Sequence, residues 1–138
     1  MKTTISLFAI ICLFTGMELL AQDVDITGNW TMFEMTWTTA DEVNTTTEEQ
    51  LKAEEMFSDY SFMPEGKLNV VSNMIGTGNV ETMEGTWKLE EDKLTTGFTI
   101  EGNQMDIVWG FEFKDDVIYL SRTSPDGSAT VVNSFKRK

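Results

Sequence analysis

Apolar and polar residues alternate along most of this chain with a period of two. In KLTTGFTI, Leu94, Thr96, Phe98 and Ile100 share one face, while Lys93, Thr95, Gly97 and Thr99 share the other. In NQMDIVWGFEF, Met105, Ile107, Trp109, Phe111 and Phe113 stand against Asp106, Val108, Gly110 and Glu112. This alternation predicts antiparallel sheet buried on one side. Turn-forming residues interrupt it at Pro64-Glu65-Gly66, Gly76 to Asn79, Glu91-Asp92, Gly102-Asn103, Lys114 to Asp116 and Pro125 to Gly127. Between them, eight strands are predicted near 28–38, 58–63, 67–74, 83–90, 93–101, 104–113, 117–123 and 129–136. The strand at 67–74 brings Leu68, Val70, Ser72 and Met74 together. Ile118, Leu120 and Arg122 are expected to share their face.

Two segments depart from this pattern. ITGNWTMFEMTWTTA, residues 26–40, carries large apolar side chains on both faces: Trp30 and Met32 on one, Phe33, Met35 and Trp37 on the other. After it, Thr47 and Gln50 have the spacing of a capping box, and Glu48 and Glu49 suit the positive end of a helix dipole. A helix of about three turns is predicted there, with Leu51, Met56 and Phe57 as its narrow apolar stripe.

Lys2, the apolar run from Ile5 to Phe14 and the boundary near Ala21-Gln22 have the layout of a secretory signal peptide over residues 1–22. The run falls short of the about 20 apolar residues that span a bilayer. Cys12 lies inside it behind Ile10 and Ile11, which argues against a lipid anchor. One domain, residues 23–138, is expected to be exported, periplasmic or secreted, with no stable membrane insertion. Cys12 is the only cysteine, and the chain has no histidine. Ser-His-Asp and Cys-His catalysis are thereby excluded, and so are most zinc sites. No nucleophile, base and oxyanion donors assemble in the pattern, so the expectation is a non-enzyme with no catalytic residue, cofactor or metal. The net charge of −13 disfavours nucleic acid as a partner.

Gly28-x-Trp30 opens the first strand, a short helix follows, and hairpins such as YSFMPEGKLNV, TWKLEEDKLTT and FEFKDDVIYLS complete the chain. This layout resembles the lipocalin superfamily, and most closely the compact lipocalin-like proteins that bacteria export. The resemblance implies an all-β fold: an eight-stranded antiparallel up-and-down barrel with one short helix after the first strand. It implies that Gly28 and Trp30 close one end, with a basic residue, Arg122 or Arg137, covering the tryptophan. The first strand would be apolar on both sides because the interior meets one face and the helix or crossing chain covers the other. The family's usual disulfide and its later loop motif are absent.

The function expected from the inward faces is binding of a small hydrophobic molecule inside the barrel. Its walls are expected to include Leu68, Val70 and Ser72 from one strand, Thr96 and Phe98 from another, and Ile107, Trp109 and Phe111 from a third, with Leu120. Leu51, Met56 and Phe57 are expected to form a lid. The alternative is an accessory envelope or interaction protein with a filled barrel and an acidic partner-binding surface. A cavity of ligand size separates the two.

Overall fold

The computed structural model describes residues 24–75 and 78–138; the expected leader lies outside them. The strands are β1 (Gly28–Thr39), β2 (Val43–Thr46), β3 (Ser58–Met63), β4 (Lys67–Ser72), β5 (Glu81–Glu90), β6 (Lys93–Ile100), β7 (Asn103–Lys114), β8 (Val117–Thr123) and β9 (Ala129–Arg137). From β3 to β9 each strand pairs antiparallel with the next, and β9 returns to pair with β1. The lower half of β1, Gly28 to Thr31, pairs with β3. Eight strands thus close a barrel, and closure removes the exposed edges of an open sheet. The short β2 was not foreseen. It pairs with Met35 to Thr38 of β1, above the point where β3 leaves off.

The turns follow local chemistry. Glu101-Gly102 and Asp115-Asp116 have positive φ at both positions, as two-residue hairpin turns require. Their backbone twist matches the right-handed twist of the strands they join.

A β-bulge explains the doubly apolar first strand. Trp30 and Met32 lie opposite Arg137 and Phe135, and Phe135 is buried in the interior. The register then shifts between Met32 and Glu34, so that Met35 and Trp37 lie opposite Asn133 and Val131. One inserted residue, Phe33, reverses which side chains face inward. Met35 and Trp37 therefore point into the same interior as Trp30 and Met32, while the Lys136 ammonium lies over the Phe33 ring, 5.6 Å from its centre. This corrects, for Met35 and Trp37, the expectation that the second set is covered from outside by helix or crossing chain; Phe33 stays outside, under the Lys136 that bridges to Glu48 of the helix.

The helix α1 (Glu48–Ala53) is shorter than expected. Its capping box is present: Gln50 N donates to Thr47 Oγ1, and Thr47 N donates to Gln50 Oε1 at 2.9 Å. It stops because Glu55 adopts φ 54° just past the Glu54 cap, while Met56 N bonds back to the Leu51 carbonyl. Met56 and Phe57 consequently lie beyond the helix and do not share a stripe with Leu51. Leu51 is buried in the core, and α1 packs against β1. Glu48 bridges to Lys136 of β9 at 2.8 Å and to Lys52 at 2.7 Å. Hydrogen bonds from these two lysines pull the Glu48 carboxyl down to about 2. The segment after α1 is tied to the end of β4: Asn73 accepts from Phe57 N at 2.8 Å and donates to the Glu55 carbonyl at 2.6 Å.

The lower barrel is a packed core. Trp30 is 0 % exposed, and Leu68, Val70, Leu94, Ile118 and Leu120 are also fully buried. The Trp30 indole donates to the Ile26 carbonyl at 2.8 Å and meets Phe113 edge-on at 6.3 Å. The Arg137 guanidinium stacks over the ring at 4.4 Å and also donates to the Thr27 and Asp25 carbonyls. The chain before β1 is thereby sewn across the barrel end. Gly28 has φ 124°, and a Cβ there would sit 3.2 Å from Arg137 Nη1. The glycine is required both by its backbone conformation and by the arginine that lies against it. The basic cover on Trp30 is Arg137, not Arg122, which lies on β8 near the opposite end.

Candidate ligand-binding cavity

The interior faces of β8, β9 and β1 form three rows, fixed by register. Ile118, Phe135 and Met32 make the lowest row, Leu120, Asn133 and Met35 the middle, and Arg122, Val131 and Trp37 the uppermost. Buried side chains fill the lowest row. In the middle row Asn133 and Met35 face open space, and the uppermost row reaches the rim, where Trp37 is 46 % exposed.

Above the packed half lies a cavity of about 320 Å³. Five of the nine methionines border it: Met32, Met35, Met74, Met83 and Met105. Phe98, Trp109, Phe135 and Tyr60 supply its aromatic walls, with Ile107, Ile100 and Val131 between them. Unbranched thioether side chains adapt to ligands of different shape and are highly polarizable. A concave apolar space with few polar groups is the usual form of a small-molecule site.

The polar groups are sparse and placed by neighbouring strands. Trp109 Nε1 donates to the buried Thr96 hydroxyl at 3.1 Å, which fixes the indole plane in the wall. Ser72 Oγ donates to the Phe57 carbonyl and accepts from Met74 N, both at 3.1 Å, and so anchors the start of the loop at the rim. Tyr60 packs its ring 4.9 Å from Phe135, and burial pushes its hydroxyl up to about 12. Asn133 Oδ1 is buried without a hydrogen-bond partner.

A second cavity of about 310 Å³ lies beside the first. The two share Trp109, Val131 and Asn133, and the second extends past Trp37 and Arg122 to the β8–β9 turn at Ser124 and Pro125.

Of the residues expected from sequence, Ser72, Phe98, Ile107 and Trp109 line the main cavity. Leu68, Val70, Thr96 and Leu120 face inward but lie in the packed half, where Thr96 touches the site only through Trp109. Phe111 packs against the core outside the cavity lining. Leu51, Met56 and Phe57 do not line the cavity; Leu51 belongs to the core. Arg122 borders the second cavity instead of closing the barrel end with Gly28 and Trp30. Sequence reasoning missed Tyr60, Asn133 and Val131 as wall residues. The alternation of VVNSF in β9 carried the signal for the last two, once Phe135 is taken as inward.

Among the described residues, no three His, Cys, Asp or Glu side chains converge to hold a metal ion. No helix among them is long and apolar enough to cross a membrane.

No protein-family model matches this chain, and no curated protein matches it. Among solved structures it is similar to insecticyanin from the tobacco hornworm Manduca sexta, with a TM-score of 0.52 at 14 % identity. The superposition covers 84 % of this chain and 65 % of insecticyanin, so this chain spans just under two thirds of that protein's length. A mutant of the fluorescent protein UnaG also matches, with a TM-score of 0.43 and 14 % identity over 82 % of this chain and 96 % of that one. The likeness to insecticyanin is one of fold, and with the closed eight-stranded barrel it shows that this chain has a lipocalin-like barrel fold.

Proposed function

We infer that this protein binds a small hydrophobic molecule in the upper half of an up-and-down lipocalin-like barrel, and that it does so as an exported protein. The observation that carries this reading is the cavity of about 320 Å³, walled by methionine and aromatic side chains above a fully packed lower half. Fully buried side chains occupy the lower half, so the open upper half is not a general property of this barrel. The upper space is retained where the bulge at Phe33 turns Met35 and Trp37 inward. Burial of apolar ligand surface would drive binding, at about 25 cal/mol per Å² before the costs of association. The role is one of binding without catalysis. The signal peptide expected over 1–22 is the support for export.

The test is a titration of purified residues 23–138 with an uncharged naphthylamine dye, read by dye emission and by quenching of tryptophan. Saturable binding at one site is expected. Val131→Phe, which projects a ring into the junction of the two cavities, is expected to weaken binding roughly tenfold or more, equivalent to about 1.4 kcal/mol. Circular dichroism checks that this variant is folded. A folded wild type that shows no saturable binding refutes the reading.

A further inference from the structure

We propose that the main chamber holds one soft monovalent metal ion, of the Cu(I) and Ag(I) type, through the thioether sulfurs of Met32, Met35, Met74 and Met83. This site differs in chemistry from the hydrophobic binding function above and does not depend on it.

Register brings these four side chains to one part of the wall. Ser58 of β3 and Ser72 of β4 are paired with each other, and both line the chamber. Pairing of β1 with β3 ends at Thr31 and Asp59, so Met32 and Ser58 are the next residues on their strands. Met35 follows on β1 past the bulge and faces the same chamber. On the other flank, Met74 lies two residues beyond Ser72, and its amide donates to the Ser72 hydroxyl at 3.1 Å. Met83 of β5 lies opposite Val70, the inward residue that precedes Ser72 on β4. Two short serine side chains thus stand between two pairs of long thioethers, and all six residues border one chamber.

The donor set selects the ion. Thioether sulfur is a soft, neutral donor, suited to Cu(I) and to the like-charged Ag(I) and poorly suited to hard cations. The sequence has no histidine, and its one cysteine lies in the expected leader, so methionine is the only soft ligand that residues 23–138 possess. A divalent ion entering an apolar chamber gives up far more hydration than a monovalent one, and neutral sulfurs do not balance its charge. The net charge of −13 draws cations toward the molecule. A second, independent feature points to a cation. Asn133 lies opposite Met35 and lines the chamber, and its Oδ1 is buried without a hydrogen-bond partner. Methionine as an adaptable filler accounts for an apolar wall but leaves this oxygen orphaned. A cation among the sulfurs gives the negative end of the amide dipole its partner.

The strands of the closed barrel all lie within residues 23–138, which contain no thiol. That chain is titrated with silver nitrate in chloride-free buffer and followed by calorimetry, with zinc nitrate as the hard-ion control. One strong equivalent of Ag(I) is expected, and excess Zn(II) is expected not to displace it. Met35→Leu combined with Met83→Leu conserves side-chain volume and removes one sulfur from each flank. Changes outside the ligand set already cost roughly tenfold or more, so this pair is expected to weaken Ag(I) by at least that factor. Met63→Leu, which lies outside the chamber lining, is expected to leave the affinity unchanged. A thioether releases no proton on binding, so the affinity is expected to be the same at mildly acidic and mildly alkaline pH, unlike that of a carboxylate site. Circular dichroism checks that the double variant is folded; if it is not, Met35→Leu alone takes its place with the same direction of change. Equal Ag(I) affinity in wild type and a folded chamber variant, uptake that rises with pH, or displacement by Zn(II) overturns the proposal and marks the silver as adventitious. A protein that binds the uncharged dye but not Ag(I) overturns it and leaves the hydrophobic site intact. One that binds Ag(I) with this methionine dependence but no dye supports it and removes the hydrophobic function.

Discussion

Replacing Trp30 with alanine removes the plug of the lower barrel. The side chain is the largest of the fully buried set. Truncating a buried aromatic to alanine costs about 3–5 kcal/mol through lost transfer energy and the cavity left behind. Two specific contacts place this site at the upper end of that range. The Ile26 carbonyl loses the indole N–H at 2.8 Å, and the Arg137 guanidinium loses the ring 4.4 Å beneath it. A cation over an indole contributes about 0.5–2 kcal/mol, depending on how far it is desolvated. The expected loss is therefore about 4–5 kcal/mol. At about 4 °C or more per kcal/mol, it lowers the melting temperature by about 15 °C or more. Urea unfolding followed by far-ultraviolet circular dichroism measures it independently of tryptophan emission. The same assay on Arg137→Ala and on the double mutant yields the coupling energy, expected at about 0.5–2 kcal/mol. If Trp30→Ala is too unstable to purify, Trp30→Phe replaces it in the cycle and retains most of the packing. A loss below about 1.5 kcal/mol for Trp30→Ala, or a coupling indistinguishable from zero, refutes the account of this barrel end.

Gly28→Ala forces a φ of 124° on a residue with a Cβ and crowds Arg137; a loss of about 1–3 kcal/mol in urea unfolding is expected, and a neutral result contradicts it. Tyr60 is raised from 10.0 to about 12 in the folded state, so its contribution is complete below pH 10 and is lost as pH rises toward 12, because the unfolded chain ionises first. Stability is expected to fall by on the order of 2–3 kcal/mol across that window in wild type. The fall is smaller in Tyr60→Phe; parallel curves for the two proteins count against the assignment. Leu51→Ala is expected to cost about 2–5 kcal/mol, as for a core leucine, and to leave the association rate of the dye unchanged in stopped flow. A faster association with little loss of stability would instead restore a lid role to this segment.

The period-two alternation in β4, β6, β7 and β8 was enough to orient those strands, because each buries one face against a common interior. It also identified Ser72, Phe98, Ile107 and Trp109 as inward. It left open how high each lies in the barrel. Height depends on strand tilt and stagger, which are set by pairing between distant segments. Leu68 and Val70 share the face of Ser72 but fall in the packed half, only a few residues lower. The bulge at Phe33 was hidden for the same reason, since an extra residue in β1 is defined only against its partners in β9. The composition of β1 did record that something unusual happens there. β2 escaped notice because Val43 to Thr46 is short, polar and exposed, with no buried face to impose a pattern. The early stop of α1 rests on a glutamate in a left-handed conformation at Glu55, a position where sequence ordinarily signals with glycine. Arg122 and Arg137 were equivalent candidates in the sequence; the register of β8 and β9 sends them to opposite ends of the barrel.

The seam between β1 and β9 has a thermodynamic consequence. Met35, Trp37, Val131 and Asn133 all border cavity space, and they come from strands at opposite ends of the described chain. Until β9 docks, the chamber has no wall on that side and there is nothing for a ligand to recognise. On the proposed binding function, binding and closure of the barrel would be linked equilibria, and a bound molecule would act as a non-covalent clasp across the seam. At a free concentration of one hundred times its dissociation constant, such a clasp would add about 2.7 kcal/mol to stability. Hydrogen exchange along β1 and β9 should then slow more on ligand addition than exchange in the β6–β7 hairpin, wherever that hairpin opens locally without the seam parting.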